Sequence, residues 1–419
     1  MKGLARIFVY EGYEISDVRV SVKDKTVEFV LNREDVKEAR CARCQNLLGR
    51  TRGKHRMKIQ ELSIMSFKTF VSFWRLKAHC DHCQKARSEA VSFLAKESPH
   101  LTQRYAWWLG TMCEFAAVSR VAEFADHPRL TVQRVDFKRL KRMVKHYKIP
   151  QVEKISVDEV YARKKSKQGE TRDDRFFTVI TDLKTRRVVW VANSRRKEAL
   201  DQFFHLIGPE ACQQIKVVAT DQHEGYRASV REHCPNAMVV WDKFHLLQSF
   251  GEVVNETRKD IFEHLAPGDE AKRLSRGKYR FVFLKKRKHR SANEQEHIEQ
   301  AMMSNGFLYR LELIKELMHQ VFDEKDEQSA WESFRKLGNW IEQSAFDHLK
   351  RWWINLEAEW ETFSNYFRCR VTTALSEGHN NVIKALKRRA FGYRNMDYFK
   401  LKILQVCGYL NSRHIKLAV

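Results

Sequence analysis

The 419-residue chain lacks any run of about 18 consecutive apolar residues, the minimum for a helix that crosses a bilayer. Its N-terminal stretch, MKGLARIFVYEGYEISD, has no long apolar core and no small-residue cleavage site, so no signal peptide is expected. Acidic residues are scarce: 53 Asp and Glu stand against 77 Lys and Arg, a formal charge of +24. That imbalance points to a polyanionic partner, most simply nucleic acid. An anionic membrane surface is the competing reading. Proline occurs between 251 and 365 only as Pro267, and Gly268, Gly277, Gly306 and Gly338 punctuate helix-length pieces there, so a helical stretch is expected. The expected compartment is the cytosol, where the nine cysteines stay reduced or bind metal rather than form disulfides.

The organising stretch is Ile215–Phe250, IKVVATDQHEGYRASVREHCPNAMVVWDKFHLLQSF. Two short apolar runs, Ile215–Ala219 and Ala237–Trp241, end at Asp221 and Asp242, with a helix expected over Glu224–His233. Continuous apolar runs of this length suit buried parallel strands, whose carboxyl ends are where α/β sheets hold ligands. Asp221 is then either an active-site carboxylate or a cap on the next helix.

Residues 1–40 predict a small β unit, with strands at Tyr13–Val22 and Thr26–Leu31. Cys41-Ala-Arg-Cys44 and Cys80-Asp-His-Cys83 form two C-x-x-C pairs. Four thiolates on two short loops suit a closed, tetrahedral, structural zinc site. His79 and His82 are alternative ligands, and strands are expected at Lys58–Leu62 and Phe67–Leu76 between the pairs. Three helices are expected over Thr102–Cys113, Ala117–Ala125 and Thr131–Lys145, the last capped by Thr131. Two helices across a short turn, the second one basic, fit a helix-turn-helix. That second helix offers Arg134, Lys138, Arg139, Lys141, Arg142 and Lys145, with Val132, Val135 and Leu140 facing inwards. A solvated basic helix in an ordinary bundle is the bland alternative. Residues 1–150 hold 30 Lys and Arg against 16 Asp and Glu, over half of the surplus.

After Pro150, KISVDEVY at Lys154–Tyr161 reads as a strand, followed by a hairpin of Phe176–Asp182 and Arg187–Ala192 and a helix over Lys197–Ile207. The order β-β-β-α-β-α-β matches the ribonuclease H-like fold and would make Asp158 a neighbour of Asp221. Paired carboxylates bind hard divalent cations, which serve phosphodiester chemistry. Glu159 is the poorer ligand candidate because strand neighbours point to opposite faces. The cluster Lys285–Arg290 and Trp331, Trp340, Trp352, Trp353 and Trp360 could meet nucleic acid, although most of these tryptophans are expected in the core. Near the end, Glu377 opens a helix running to about Arg389. It carries Ser376, Asn380 and Asn381 at its start, with Lys384, Lys387, Arg388 and Arg389 available for phosphate. For Glu377 a helix-cap role is the alternative.

In order, the double C-x-x-C, ISVDE, ATDQHEGYRASVREHCPNA, WDKFHLLQ and SEGHNN with KRRAFGYRN resemble the bacterial insertion-sequence DDE transposases of the ISL3 group over nearly the full length. The resemblance implies an acidic triad on Asp158, Asp221 and Glu377 that binds Mg2+ or Mn2+, with Asp242, His245 and Asn380 as near-site support. It implies a multidomain α+β chain: a zinc-binding module with a small β unit (1–100), a helix-turn-helix (101–150), a ribonuclease H-like α/β core (151–250 and 366–419), and an α-helical insertion (251–365). It further implies structural Zn2+, double-stranded DNA as partner, a dimer or higher assembly on DNA, no membrane, and a bacterial cytoplasmic, nucleoid-associated protein. The rival functions are a DNA-binding regulator without catalysis, a structural nuclease of the ribonuclease H type, and a helical scaffold.

Overall fold

The computed structural model describes residues 8–34, 38–163, 171–265, 277, 279–371 and 374–415, without the side chains of Leu265, Tyr279 and Ala374. Pro267, Gly268 and residues 164–170 lie outside them. The chain is a multidomain α/β protein with two sheets. It divides into two compact units, Met1–Lys148 with Ala385–Val419, and Ile149–Lys384.

The first unit opens with β1 (Tyr13–Ser21), β2 (Thr26–Arg33), β3 (Thr51–Ile64), β4 (Phe67–Cys80) and β5 (Lys85–Ser88). They form one sheet in the order β1-β2-β4-β3, with β5 on β4. Alternation sends Val27, Phe29, Leu31, Ile59, Val71 and Phe73 to one face, where they pack against Tyr10, Tyr13 and Phe93. The rings of Tyr13, Phe73 and Phe93 meet edge to face at 5.1–5.5 Å.

Helices α1 (Gln103–Phe115), α2 (Val118–Ala125) and α3 (Arg129–Val144) follow. The Thr102 hydroxyl accepts from the Tyr105 N–H and starts α1. Asp126, at φ +51°, ends α2 in the left-handed region. Pro128, extended, precedes α3, so Thr131 lies inside that helix and does not cap it as expected.

The second unit holds β6 (Lys154–Tyr161), β7 (Phe176–Asp182), β8 (Arg187–Asn193), α4 (Lys197–Ile207), α5 (Pro209–Gln213), β9 (Val217–Thr220), α6 (Glu224–His233) and β10 (Met238–Trp241). The sheet order is β10-β9-β6-β7-β8. β6, β7 and β8 run antiparallel, whereas β6, β9 and β10 run parallel. The central strands are apolar on both faces because the sheet is covered on both sides.

The helical region comprises α7 (Lys243–Asp260), α8 (Tyr279–Leu284), α9 (Ala292–Ser304), α10 (Gly306–Asp323), α11 (Glu327–Glu342), α12 (Asp347–Ala358) and α13 (Trp360–Cys369). Its core joins Phe250, Leu311, Met318, Phe334, Trp353 and Phe363 to Val217, Val240 and Trp241 of the sheet. A Cβ on Gly338 would lie 2.5 Å from Cζ2 of Trp353, so glycine is what lets α11 and α12 approach. Asn365 donates to the Val239 carbonyl at 2.9 Å and occupies part of the free edge of β10. The expected start of the insertion at 251 falls inside α7, which continues unbroken.

The chain closes with α14 (Ala374–Arg389) and α15 (Met396–Cys407). The sequence placed all of 366–419 with the second sheet. Instead Ala385–Val419 belongs to the first unit, where α15 anchors on α3. Tyr398 donates to Asp136 at 2.6 Å and Lys402 donates to the same carboxylate at 3.1 Å, all three groups buried.

Candidate active site and metal centre

Parallel register sets the geometry at the carboxyl end of the second sheet. Val157 on β6 and Trp241 on β10 both stand opposite Thr220 on β9. The next residue on each strand is an aspartate: Asp158, Asp221 and Asp242. Neighbouring strands are about 4.8 Å apart, so three acidic residues stand at one level, Asp158 within β6 and Asp221 and Asp242 just past the ends of β9 and β10.

Each aspartate is held by a different partner. Asp158 is 7% exposed, and its Oδ2 accepts from Asn380 Nδ2 at 2.9 Å. Its Oδ1 accepts from the Glu159 N–H at 2.7 Å. Asp221 Oδ1 accepts from the His223 N–H at 3.0 Å, a turn that leads into α6. His223, not Asp221, is the capping residue of α6. Asp242 does cap α7, accepting from the Phe244 N–H at 3.0 Å.

His245 lies between two of these carboxylates, with Nε2 3.6 Å from Asp158 Oδ1 and 3.6 Å from Asp242 Oδ2. The Asp158 carboxylate, against the opposing effect of burial, pushes the imidazole up to about 9, and the charges of Asp242 and Asp221 add to it. The three carboxylates therefore favour the protonated imidazole.

Helix α14 brings the third carboxylate of the expected triad. Ser376 Oγ meets Ser156 Oγ of β6 at 2.7 Å, Asn380 meets Asp158, and His379 Nδ1 lies 3.4 Å from Thr181 Oγ1 of β7. At about 100° per residue, rotation around the helix passes from His379 through Ser376 and Asn380 to Glu377. The same rotation passes from β7 to β6, which turns Glu377 to the β9 flank. Glu377 is exposed in the first turn of α14. Among the described residues, Asp158, Asp221 and Glu377 do not form a group with all ligand atoms within 4.8 Å.

On the opposite face of β6, Glu159 Oε1 accepts from Arg195 NH1 at 2.7 Å, and Arg195 also donates to Asp173 at 2.7 Å. Burial raises the Glu159 carboxyl, Arg195 opposes the shift and Asp221 adds to it. Arg195 carried no sequence signal, since it follows β8 and meets Glu159 of β6 only once the chain after β8 crosses over β7.

In the first unit, Cys41, Cys44, Cys80 and Cys83 bring their sulfurs within 4.8 Å of one another, with Cys44 and Cys80 at 3.5 Å. Tetrahedral zinc with Zn–S bonds of about 2.3 Å needs sulfurs about 3.8 Å apart, so the group fits that ion. The residue after each pair, Gln45 or Gln84, takes positive φ (+65° and +52°), so both loops turn in the same way. Burial opposes ionisation of Cys41, but N–H groups of Cys44 and Arg43 aimed at its sulfur outweigh it and bring the thiol down to about 7. His79 and His82 are not members of the group. A second group, Asp201, Glu232 and His233, is closed around Lys197, whose ammonium lies 2.8 Å from Asp201 and 2.7 Å from Glu232.

The basic residues expected on DNA divide. Arg134, Lys138 and Lys141 are exposed on α3, as are Arg388 and Arg389 on α14, and Lys387 is half-buried. Arg142 is half-buried and pairs with Glu97 at 2.7 Å. Arg139 is 1% exposed and so is not on that surface. It donates to Glu114 at 2.6 Å and stacks 4.3 Å from the Trp107 ring centroid. Trp331 and Trp340 are partly exposed, whereas Trp353 is buried among Phe334 and its neighbours.

A family model of transposases, the ISL3 group of the DDE type, matches residues 155–403. The chain belongs to the ISL3 group of DDE transposases. The matched stretch contains Asp158, Asp221, Asp242, His245, Glu377 and Asn380. Among curated relatives, the chain is similar to the transposase for insertion sequence element IS1001 of Bordetella parapertussis. The two are 26% identical over 364 residues, covering 86% of this chain and 87% of the relative. It is also similar to the transposase for insertion sequence element IS1557 of Mycobacterium tuberculosis, 24% identical over 341 residues, with 73% and 72% covered. Both matches are longer than the family match and so extend beyond it. No helix among the described residues of this transposase is long and apolar enough to cross a membrane.

Proposed function

We propose that this transposase binds the terminal inverted repeats of its own insertion sequence and cuts and joins DNA there. Asp158, Asp221 and Glu377 are the ligands of two Mg2+ or Mn2+ ions. The observation that carries the reading is the placement of Asp158, within β6, at the level of Asp221, just past the end of the adjacent parallel strand β9, inside the family match. The order β10-β9-β6-β7-β8 supports a ribonuclease H-like core, and α2 and α3 serve as the helix-turn-helix. The four cysteines hold Zn2+ as a structural ion.

Paired divalent ions, when bound, activate the attacking oxygen and stabilise the leaving one in an in-line displacement. The chain supplies position and charge. Asn380 fixes one oxygen of Asp158 so that the other faces the cluster. His245 balances Asp158 and Asp242. Glu377, exposed in the first turn of α14, is the third ligand and turns towards the two aspartates when the ions bind. Lys384, Lys387, Arg388 and Arg389 extend along the same helix to hold phosphates. Phosphoryl transfer needs little beyond such positioning and neutralisation. The two element ends are joined by a dimer or a higher assembly.

The test uses a duplex made from the DNA flanking the gene. With Mg2+, the wild-type chain nicks at the element end, and Asp221→Ala binds the duplex but does not cut. Equal cutting by the variant rejects the site. Binding with no cutting by the wild type favours a DNA-binding regulator. Cutting that follows nucleic-acid shape and ignores end sequence favours a structural nuclease.

A further inference from the structure

β3 is the outer strand of the first sheet, and its outer half is exposed from Thr51 to Arg56. Antiparallel register with β4 pairs Lys54 with Leu76, Arg56 with Trp74 and Lys58 with Ser72. Residues two apart on a strand share a face, and paired residues share it too. Lys54, Arg56 and Lys58 therefore form a row of cations about 7 Å apart along one face. Trp74 stands beside them, 48% exposed, with Lys54 Nζ 5.3 Å from its ring centroid. The opposite face carries Met57, Ile59, Val71 and Phe73 and is packed into the core. β2 pairs with β4 as far as Phe73 and β5 takes up β4 again from Lys77, so β3 is the strand whose outer edge is open along this stretch. Arg52 lies at a bulge at its outer end. Glu28 is the carboxylate that reaches the row, 2.9 Å from Lys58 and 3.6 Å from Arg56.

We infer that this face of the β3–β4 ribbon is a second DNA-binding surface, distinct from α3, which lies along the phosphates of duplex DNA with Trp74 against the groove wall. The inference rests on the proposed DNA-binding role and names the surface that serves it. A bare edge strand often carries charge merely to block pairing with another chain. That explains one or two charges of either sign. It does not explain three of one sign on one face, or a large indole left in water next to them. Glu28 is one negative charge against three positive ones, so the row keeps an excess of positive charge, and displacement of counterions from DNA is the favourable term.

The experiment compares the full-length zinc-loaded chain with the Lys54→Gln/Arg56→Gln/Lys58→Gln variant and with Trp74→Ala. Binding is measured by fluorescence anisotropy on two labelled duplexes, one with the flanking repeat and one with the same bases scrambled, over a salt series. At about 0.9 per phosphate contact, the triple variant loses roughly 2–3 from the slope of log K against log salt on both duplexes. Its affinity falls at least about tenfold at physiological salt. Trp74→Ala weakens binding severalfold and leaves the slope as it was. Melting temperature and monodispersity stay at wild-type values in both. An unchanged slope and affinity in the triple variant overturns the surface assignment and leaves the transposase reading intact. Aggregation of that variant with unchanged binding identifies edge protection instead. A wild-type chain that binds neither duplex, or that prefers anionic vesicles to both, overturns the surface and the end-binding reading together.

Discussion

Arg139 separates a DNA contact from an internal strut. Replacing it by Met keeps most of the side-chain volume and removes the charge. Glu114, 8% exposed, then loses its 2.6 Å partner and retains the Ser412 N–H and hydroxyl at 2.9 and 2.8 Å. Asp136, fully buried, keeps Tyr398 and Lys402 but loses the guanidinium 4.0 Å away. Breaking a buried ion pair by removing one partner costs about 3–5 kcal/mol, because the other charge stays behind. For a unit of this size that corresponds to a fall in melting temperature of roughly 6–20 °C, at about 2–4 °C per kcal/mol. Calorimetry of the full chain reads the fall, and anisotropy at a temperature where the variant is folded reads DNA binding. The expected result is a large thermal loss with no change in salt slope. A melting temperature within about 2 °C of wild type, together with a slope reduced by about 0.9, would show that Arg139 contacts phosphate and that the buried network is wrong.

Cys44→Ser removes one of four thiolates. Zinc measured by mass spectrometry falls from stoichiometric to near zero, and the β1–β5 module loses cooperative unfolding. Full zinc retention would contradict the four-cysteine site. Asn380→Ala frees one oxygen of Asp158, so cleavage falls about 10–100-fold while DNA affinity is retained. Unchanged cleavage would remove Asn380 from the site. His319 is brought down to about 4 by burial, with Lys286 adding to the effect. The folded chain therefore holds it neutral, while the unfolded chain protonates it near pH 6.5, so its contribution to stability is present above about pH 6.5 and is lost as pH falls towards 4. The urea midpoint of the wild type should fall more between neutral pH and about pH 5 than that of His319→Gln. An equal fall in both would reject the buried neutral imidazole.

The second sheet was legible because its strands announce themselves locally. KISVDEVY, Phe176–Asp182 and Glu224–His233 occupy the spans read from periodicity, since buried strands and amphipathic helices carry unmixed patterns. The outer half of β3 was not legible: TRGKHR offers no apolar alternation, and the strand exists there because β4 pairs with it. The burial of Arg139 had a signal that charge obscured. It lies four residues after Val135 and seven after Val132, on the inward face of α3. Its compensating partners come from α1 and the chain end, which no local pattern joins. The return of Ala385–Val419 to the first unit is likewise long-range. At the candidate site, the aspartates at strand ends were readable, whereas the bridging position of His245 and the Asn380–Asp158 bond follow only from how α7 and α14 pack.

The most direct measurement is anomalous scattering from crystals of the transposase bound to its element end with Mn2+. Two manganese peaks about 3.5–4 Å apart, ligated by Asp158, Asp221 and Glu377, are the expected result. Manganese bound elsewhere, or at Asp158 and Asp221 with Glu377 still turned to solvent, would contradict the assigned triad.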